Sequence, residues 1–180
     1  MLLVYGVVAA VIAGYLMGGR LKNYLVCPLR GVLLPALALG IEACFGPLAV
    51  RIPPQHWLGW ATCAEYALLA AFLILNLRRR GVKLLALATA LNFAVIAANG
   101  FSMPVTPNIY DFPELSGLIA RIQAGELPEY VLVGWDAPLW FLGDTLPLFG
   151  GLASVGDLLM AAGIFLLLIS LMRQKAPETN

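Results

Sequence analysis

The chain has 180 residues, 61% of them hydrophobic and 12% charged, with a formal net charge of +1 and a mean hydropathy of +0.88. Such a composition excludes an ordinary soluble domain, whose surface needs far more polar side chains than these. It predicts a single all-α integral membrane domain over 1–180, with the lipid bilayer as its first partner and no surplus of charge to recruit nucleic acid.

Five apolar runs approach the ~20 residues that cross a bilayer as helix: about 2–17, 25–45, 57–77, 82–98 and 152–172. The first has no basic region before it and no small-residue cleavage site after it, so it reads as a retained helix. Gly6, Ala10, Gly14 and Gly18 give it a face of small residues, and Gly156 and Gly163 do the same for the fifth run. Such faces serve helix contacts within the chain or helix-mediated self-association.

Basic residues set the expected orientation. Arg20 and Lys22 follow the first run, Arg78, Arg79, Arg80 and Lys83 separate the third from the fourth, and Arg173 and Lys175 follow the fifth. With five spans these eight share one side, against Arg51 and Arg121 on the other, and the positive-inside rule makes their side cytoplasmic. The amino terminus is then outside and the carboxyl terminus inside. Arg30 reads as an anchor that snorkels to the inner surface, and Asn76 and His56 as solvated residues at membrane boundaries.

The second and third runs contain a palindrome. Glu42-Ala43-Cys44 is mirrored by Cys63-Ala64-Glu65 about Pro53-Pro54. An antiparallel helix pair turning there puts Glu42 level with Glu65, roughly 6–12 Å below the outer surface. Residues two apart on a helix lie far apart around it, so facing glutamates turn Cys44 and Cys63 away, against a Glu-Cys metal cage. The cysteines are packing residues or a disulfide pair, and Cys27 has no evident partner. Thr89, Asn92 and Asn99 share a stripe on the fourth run, and Asp157 follows Ser154 at the outer end of the fifth.

The outer loop, 100–151, holds six of the twelve prolines and six acidic residues. Leu115, Leu118, Ile119 and Ile122 have helical spacing between Pro113-Glu114 and Gly125. They predict a short amphipathic helix lying on the membrane surface. Trp135 and Trp140 predict a second stretch dipping into the headgroups. The loop reads as a lid.

Two site readings follow. The preferred one is non-enzymatic: a small ligand, lipid headgroup or cation is bound or passed at an outward-facing pocket of Glu42, Glu65, Asn92, Asn99, Asp136 and Asp157. The other makes Asp144 and Asp157 the catalytic pair of an intramembrane aspartyl hydrolase. A scaffold in which these residues only join helices is the third possibility. Phosphate-loop, dinucleotide, haem and zinc patterns are missing, so no cofactor, metal or nucleic acid is expected.

"NGFSMPV" at 99–105, "WDAPLWFLGDTLP" at 135–147 and "SVGDLLMAAG" at 154–163 resemble domain-of-unknown-function family 5317, small bacterial membrane proteins. The resemblance implies a bacterial cytoplasmic membrane protein and marks Asn99, Met103, Pro104, Asp136, Asp144 and Asp157 as motif positions. Asp157 followed by an apolar run with Gly163 is similar to the final helix of lipoprotein signal peptidases, which use two aspartates near the outer membrane surface. That similarity implies Asp144 or Asp136 as the second member, although the Asn-x-x-Asp-Arg segment of that family is absent. Gly143-Asp144 and Gly156-Asp157 also resemble part of the Gly-x-Gly-Asp motif of other intramembrane aspartyl proteases.

Overall fold

A computed structural model describes residues 2–26, 28–48, 57–148 and 151–174. The Pro53-Pro54 turn, Cys27, Arg51, His56, Lys175 and the side chain of Glu42 lie outside the described residues, and with them the expected level pairing of Glu42 and Glu65.

The protein is mostly helical. The long helices are α1 (Leu2–Leu16), α2 (Leu33–Leu48), α3 (Leu58–Leu75), α4 (Val82–Ala98) and α6 (Val155–Met172), with a six-residue 3-10 helix, Leu21–Val26, between α1 and α2. Between α4 and α6 come β1 (Met103–Val105), α5 (Ser116–Gln123), β2 (Tyr130–Leu132), β3 (Leu146–Leu148) and β4 (Gly151–Ala153).

All five apolar runs form helices, but among the described residues only α3 and α6 are long and apolar enough by themselves to cross a membrane. The expectation of five full-length spans is corrected to that extent. α1 and α4 are apolar but shorter, and the run expected from about 25 becomes helical only at Leu33, after a 3-10 helix and a turn. The all-α expectation is corrected too. β1 pairs with β2 in parallel and β3 with β4 antiparallel, giving two small sheets.

The long helices pack in the order α1, α6, α4, α3, α2. Gly6 faces Ala161 and Gly14 faces Met172, so α1 runs parallel to α6 and its small-residue face is used inside the chain. Gly156 meets Asn92 and Gly163 meets Leu85, which makes α4 antiparallel to α6. Gly81, at φ 85°, turns α3 into α4; a Cβ there would overlap the Gly163 carbonyl oxygen, so this turn sits directly on α6. Asn76 side-chain bonds to the Arg30 backbone, 2.9 Å at N–H and 2.8 Å at C=O, bring the start of α2 to the end of α3. Arg20 N–H donates to the Met172 carbonyl at 2.8 Å. Arg20, Arg30, the Arg78–Arg80 turn and Arg173 therefore gather at one end of the molecule.

Residues 100–148 form the other end. Val105, Ile109, Leu115, Ile119 and Ile122 make a core separate from that of Leu73, Val82, Leu85, Leu167 and Leu171 in the bundle. The amphipathic helix is confirmed as α5. Its expected place on the membrane is corrected, because Ile119 and Ile122 are buried in the lid's own core. The bundle leaves Val4, Val8, Ile12, Leu33, Leu37, Trp60 and Ile74 exposed, an apolar outer surface that suits lipid.

Candidate functional site at the lid end of α4 and α6

The site begins with the start of α6. Ser154 is its N-cap and Asp157 its third residue, and together they form a capping box. Asp157 N–H donates to Ser154 Oγ at 3.0 Å, and Asp157 Oδ2 accepts from the Ser154 backbone N–H at 2.9 Å. The Ser154 hydroxyl lies 2.9 Å from Asp157 Oδ2 and 3.3 Å from Asn92 Oδ1, so its single proton serves one or the other. Asn92 Nδ2 reaches Asp157 Oδ1 at 3.4 Å. A side chain on α4 is thus tied to the first turn of α6. Gly156 makes this possible, since any Cβ there would occupy the place of the Asn92 amide oxygen.

Asp144 arrives from the lid. Leu146 pairs with Ala153 in the β3–β4 ladder, so residues just before β3 return beside the residues just after β4. The Asp144 N–H donates to the Pro104 carbonyl at 2.9 Å, and Val105 bridges to Asp144. Gly143 allows this approach, because a Cβ would overlap that same Pro104 oxygen. The Asp144 residue is 4% exposed, and its Oδ1 is buried with no hydrogen-bond partner among the described residues. Burial pushes its carboxyl from 3.8 up to about 7, and the charge of Asp157 adds to the rise.

Of the residues singled out in the sequence, Asn92 and Asp157 are joined by a hydrogen bond, and Asp144 lies within electrostatic reach of Asp157. Asn99 instead finishes α4, donating to the Val95 and Pro138 carbonyls at 2.8 Å each, and so ties the 133–139 turn to the bundle. Asp136 is exposed in that turn. Glu65 is half-buried on α3, a helix packed against α2 and α4. Cys44 is exposed and Cys63 half-buried, and both are free thiols. No cluster of three or more His, Cys, Asp and Glu suited to a metal occurs among the described residues.

Ser154, Gly143 and Gly156 shape the site beyond what the motif positions imply. Ser-x-x-Asp ahead of an apolar run signals a cap; nothing local shows which backbone the two glycines admit. A cleft of about 770 Å³, lined by Leu58, Trp60, Cys63, Phe101, Ser102 and Pro128 among others, opens between α3 and the lid. Phe101 holds φ 66° at its edge, and Gly59 leaves room for the ring. The acidic cluster does not line it.

The sequence model of the family of unknown function DUF5317 matches residues 28–169, and the chain belongs to that family. The match takes in Asn92, Asp144, Ser154 and Asp157. No curated protein and no solved structure matches the chain.

Proposed function

We propose that this is a multi-pass protein of the bacterial cytoplasmic membrane, with an outer lid and a cytoplasmic carboxyl terminus. We further propose that Asp144 and Asp157 are the acid and base of a hydrolase at its outer surface. The membrane part is supported by the apolar helix surfaces and by the separation of a basic end from an acidic lid. Trp60, Tyr110, Trp135 and Phe141, all toward the lid end, are exposed as in an interfacial aromatic belt.

The observation that carries the hydrolase is the inequality of the two carboxyls. Asp144 is desolvated, holds an oxygen without a donor and is pushed to about 7, whereas Asp157 accepts hydrogen bonds from Ser154 and Asn92. Neighbouring carboxyls in such different surroundings divide into acid and base. In the first step water oxygen bonds to a carbonyl carbon, its proton passing to Asp157 while Asp144 protonates the carbonyl oxygen. In the second, the bond to the leaving group breaks, Asp157 protonates that group, and a hydroxyl of the diol returns its proton to Asp144. Atoms and protons balance, and both residues are restored. The lid must lift to admit a substrate, and the likeness of the last helix to lipoprotein signal peptidases suggests a membrane-anchored peptide.

A second reading retains the acidic and amide site as a binding site for a proton or small cation. It is favoured by the engagement of Asp157 in a cap, which leaves its oxygens less free for water. Proteoliposomes presenting membrane-anchored fluorogenic peptides separate the two. The hydrolase predicts that Asp144→Asn and Asp157→Asn each lower the release rate by about 100-fold or more, the double variant being little worse than either. Wild-type rates in both single variants would remove the hydrolase.

A further inference from the structure

Between α3 and α4 runs an apolar groove of about 390 Å³. Its floor includes Ala67, Ala70, Ala86 and Ala90, small residues that keep the two helices from filling the space between them. It extends along α3 from Cys63 to the end of the helix, about 18 Å at the helical rise, more than the ~15 Å depth of one hydrocarbon leaflet, and continues to Leu77. At Leu77 it meets a second hollow, of about 530 Å³, whose lining includes Arg78, Arg79, Arg80 and Lys83. Arg78, Arg80 and Lys83 are exposed, and the turn that carries them is seated on α6 through Gly81.

We propose that this groove and basic hollow together bind one anionic phospholipid of the inner leaflet, an acyl chain along α3 and α4 and its phosphate among the arginines. Two features select this occupant. The groove is apolar over the length of a leaflet, and its basic end offers guanidinium groups, which grip phosphate oxygens in pairs. Basic hollows between spans at the cytoplasmic face suit acidic headgroups for the same reason. The inference rests on the membrane-spanning reading and is independent of the carboxyl pair.

Topology signalling needs only positive charge, so the two roles diverge in a test. The full chain is released from nanodiscs of equal phosphatidylglycerol and phosphatidylcholine and weighed by native mass spectrometry. One retained phosphatidylglycerol per chain is expected, favoured over phosphatidylcholine by about tenfold or more. Arg78→Gln with Arg80→Gln abolishes the preference, and Arg→Lys at both positions weakens it although charge is kept. Ala70→Phe, at an exposed position of the groove, lowers retention with the basic end intact. Asp144→Asn leaves retention unchanged, so failure here is distinct from failure of the hydrolase. Equal retention of the two lipids by the wild type overturns the proposal, as does a Gln variant that holds phosphatidylglycerol like the wild type. Displacement of the lipid by inorganic phosphate alone would also overturn it, since the groove would then contribute nothing.

Discussion

Asp144 is fixed in place by its backbone, which pairs with Pro104 and Val105, while one oxygen of its side chain is buried without a donor. Protonation is the simplest relief of that position, because a neutral carboxyl loses less on leaving water than a charged one. The folded-state value is raised to about 7 from the ordinary 3.8, so between those pH values the folded chain holds a proton that the unfolded chain gives up. The stability this group contributes is complete below the lower value and is lost as pH rises through the upper one. Thermal unfolding in detergent should therefore show the wild type weakening between about pH 4 and pH 7 by up to a few kcal/mol. Asp144→Asn should flatten that dependence, and an equally steep loss in the variant would assign it to other groups. Asp157 was legible from the sequence as a residue at a helix start, and Ser154 as its cap. Asp144 was tied to Asp157 only through the resemblance to lipoprotein signal peptidases, with Asp136 as the alternative, since its approach depends on the β3–β4 register and on two glycines whose neighbours are distant in the chain.

The lid is a small folded unit. Ile109 and Leu115 are buried at 0% and 1% exposure, in a core built from β1, α5 and the turns between them. α5 was legible because four apolar residues repeat at helical spacing between a proline start and a glycine stop. Its partner was not: an amphipathic helix has one apolar face, and the same face would suit a membrane or a protein core. The strands went unseen because three residues are too few to show alternation. Ile109→Ala should destabilise the lid by about 2–5 kcal/mol. In hydrogen exchange, amides over 103–132 would then lose protection while α1, α3, α4 and α6 keep theirs. Loss spread evenly over both regions would mean that lid and bundle unfold as one.

Over the whole molecule, the positions of charge and grease agree with the chain direction. α1 and α6 run the same way, α4 opposes α6, and the arginines of three connections gather at the end opposite the lid. This order was largely legible from hydropathy and basic residues. The palindrome contributed less, since its centre and the Glu42 side chain lie outside the described residues. What the helices and the 100–148 segment jointly create is the electrostatic coupling of Asp144 to Asp157. Infrared titration of the reconstituted protein tests that coupling most directly. A carboxyl band titrating near pH 7 is predicted, absent in Asp144→Asn, and moved to lower pH in Asp157→Asn while remaining above the ordinary aspartate range, because burial is the larger cause. A band at the ordinary aspartate position, indifferent to Asp157→Asn, would contradict the pairing of the two carboxyls.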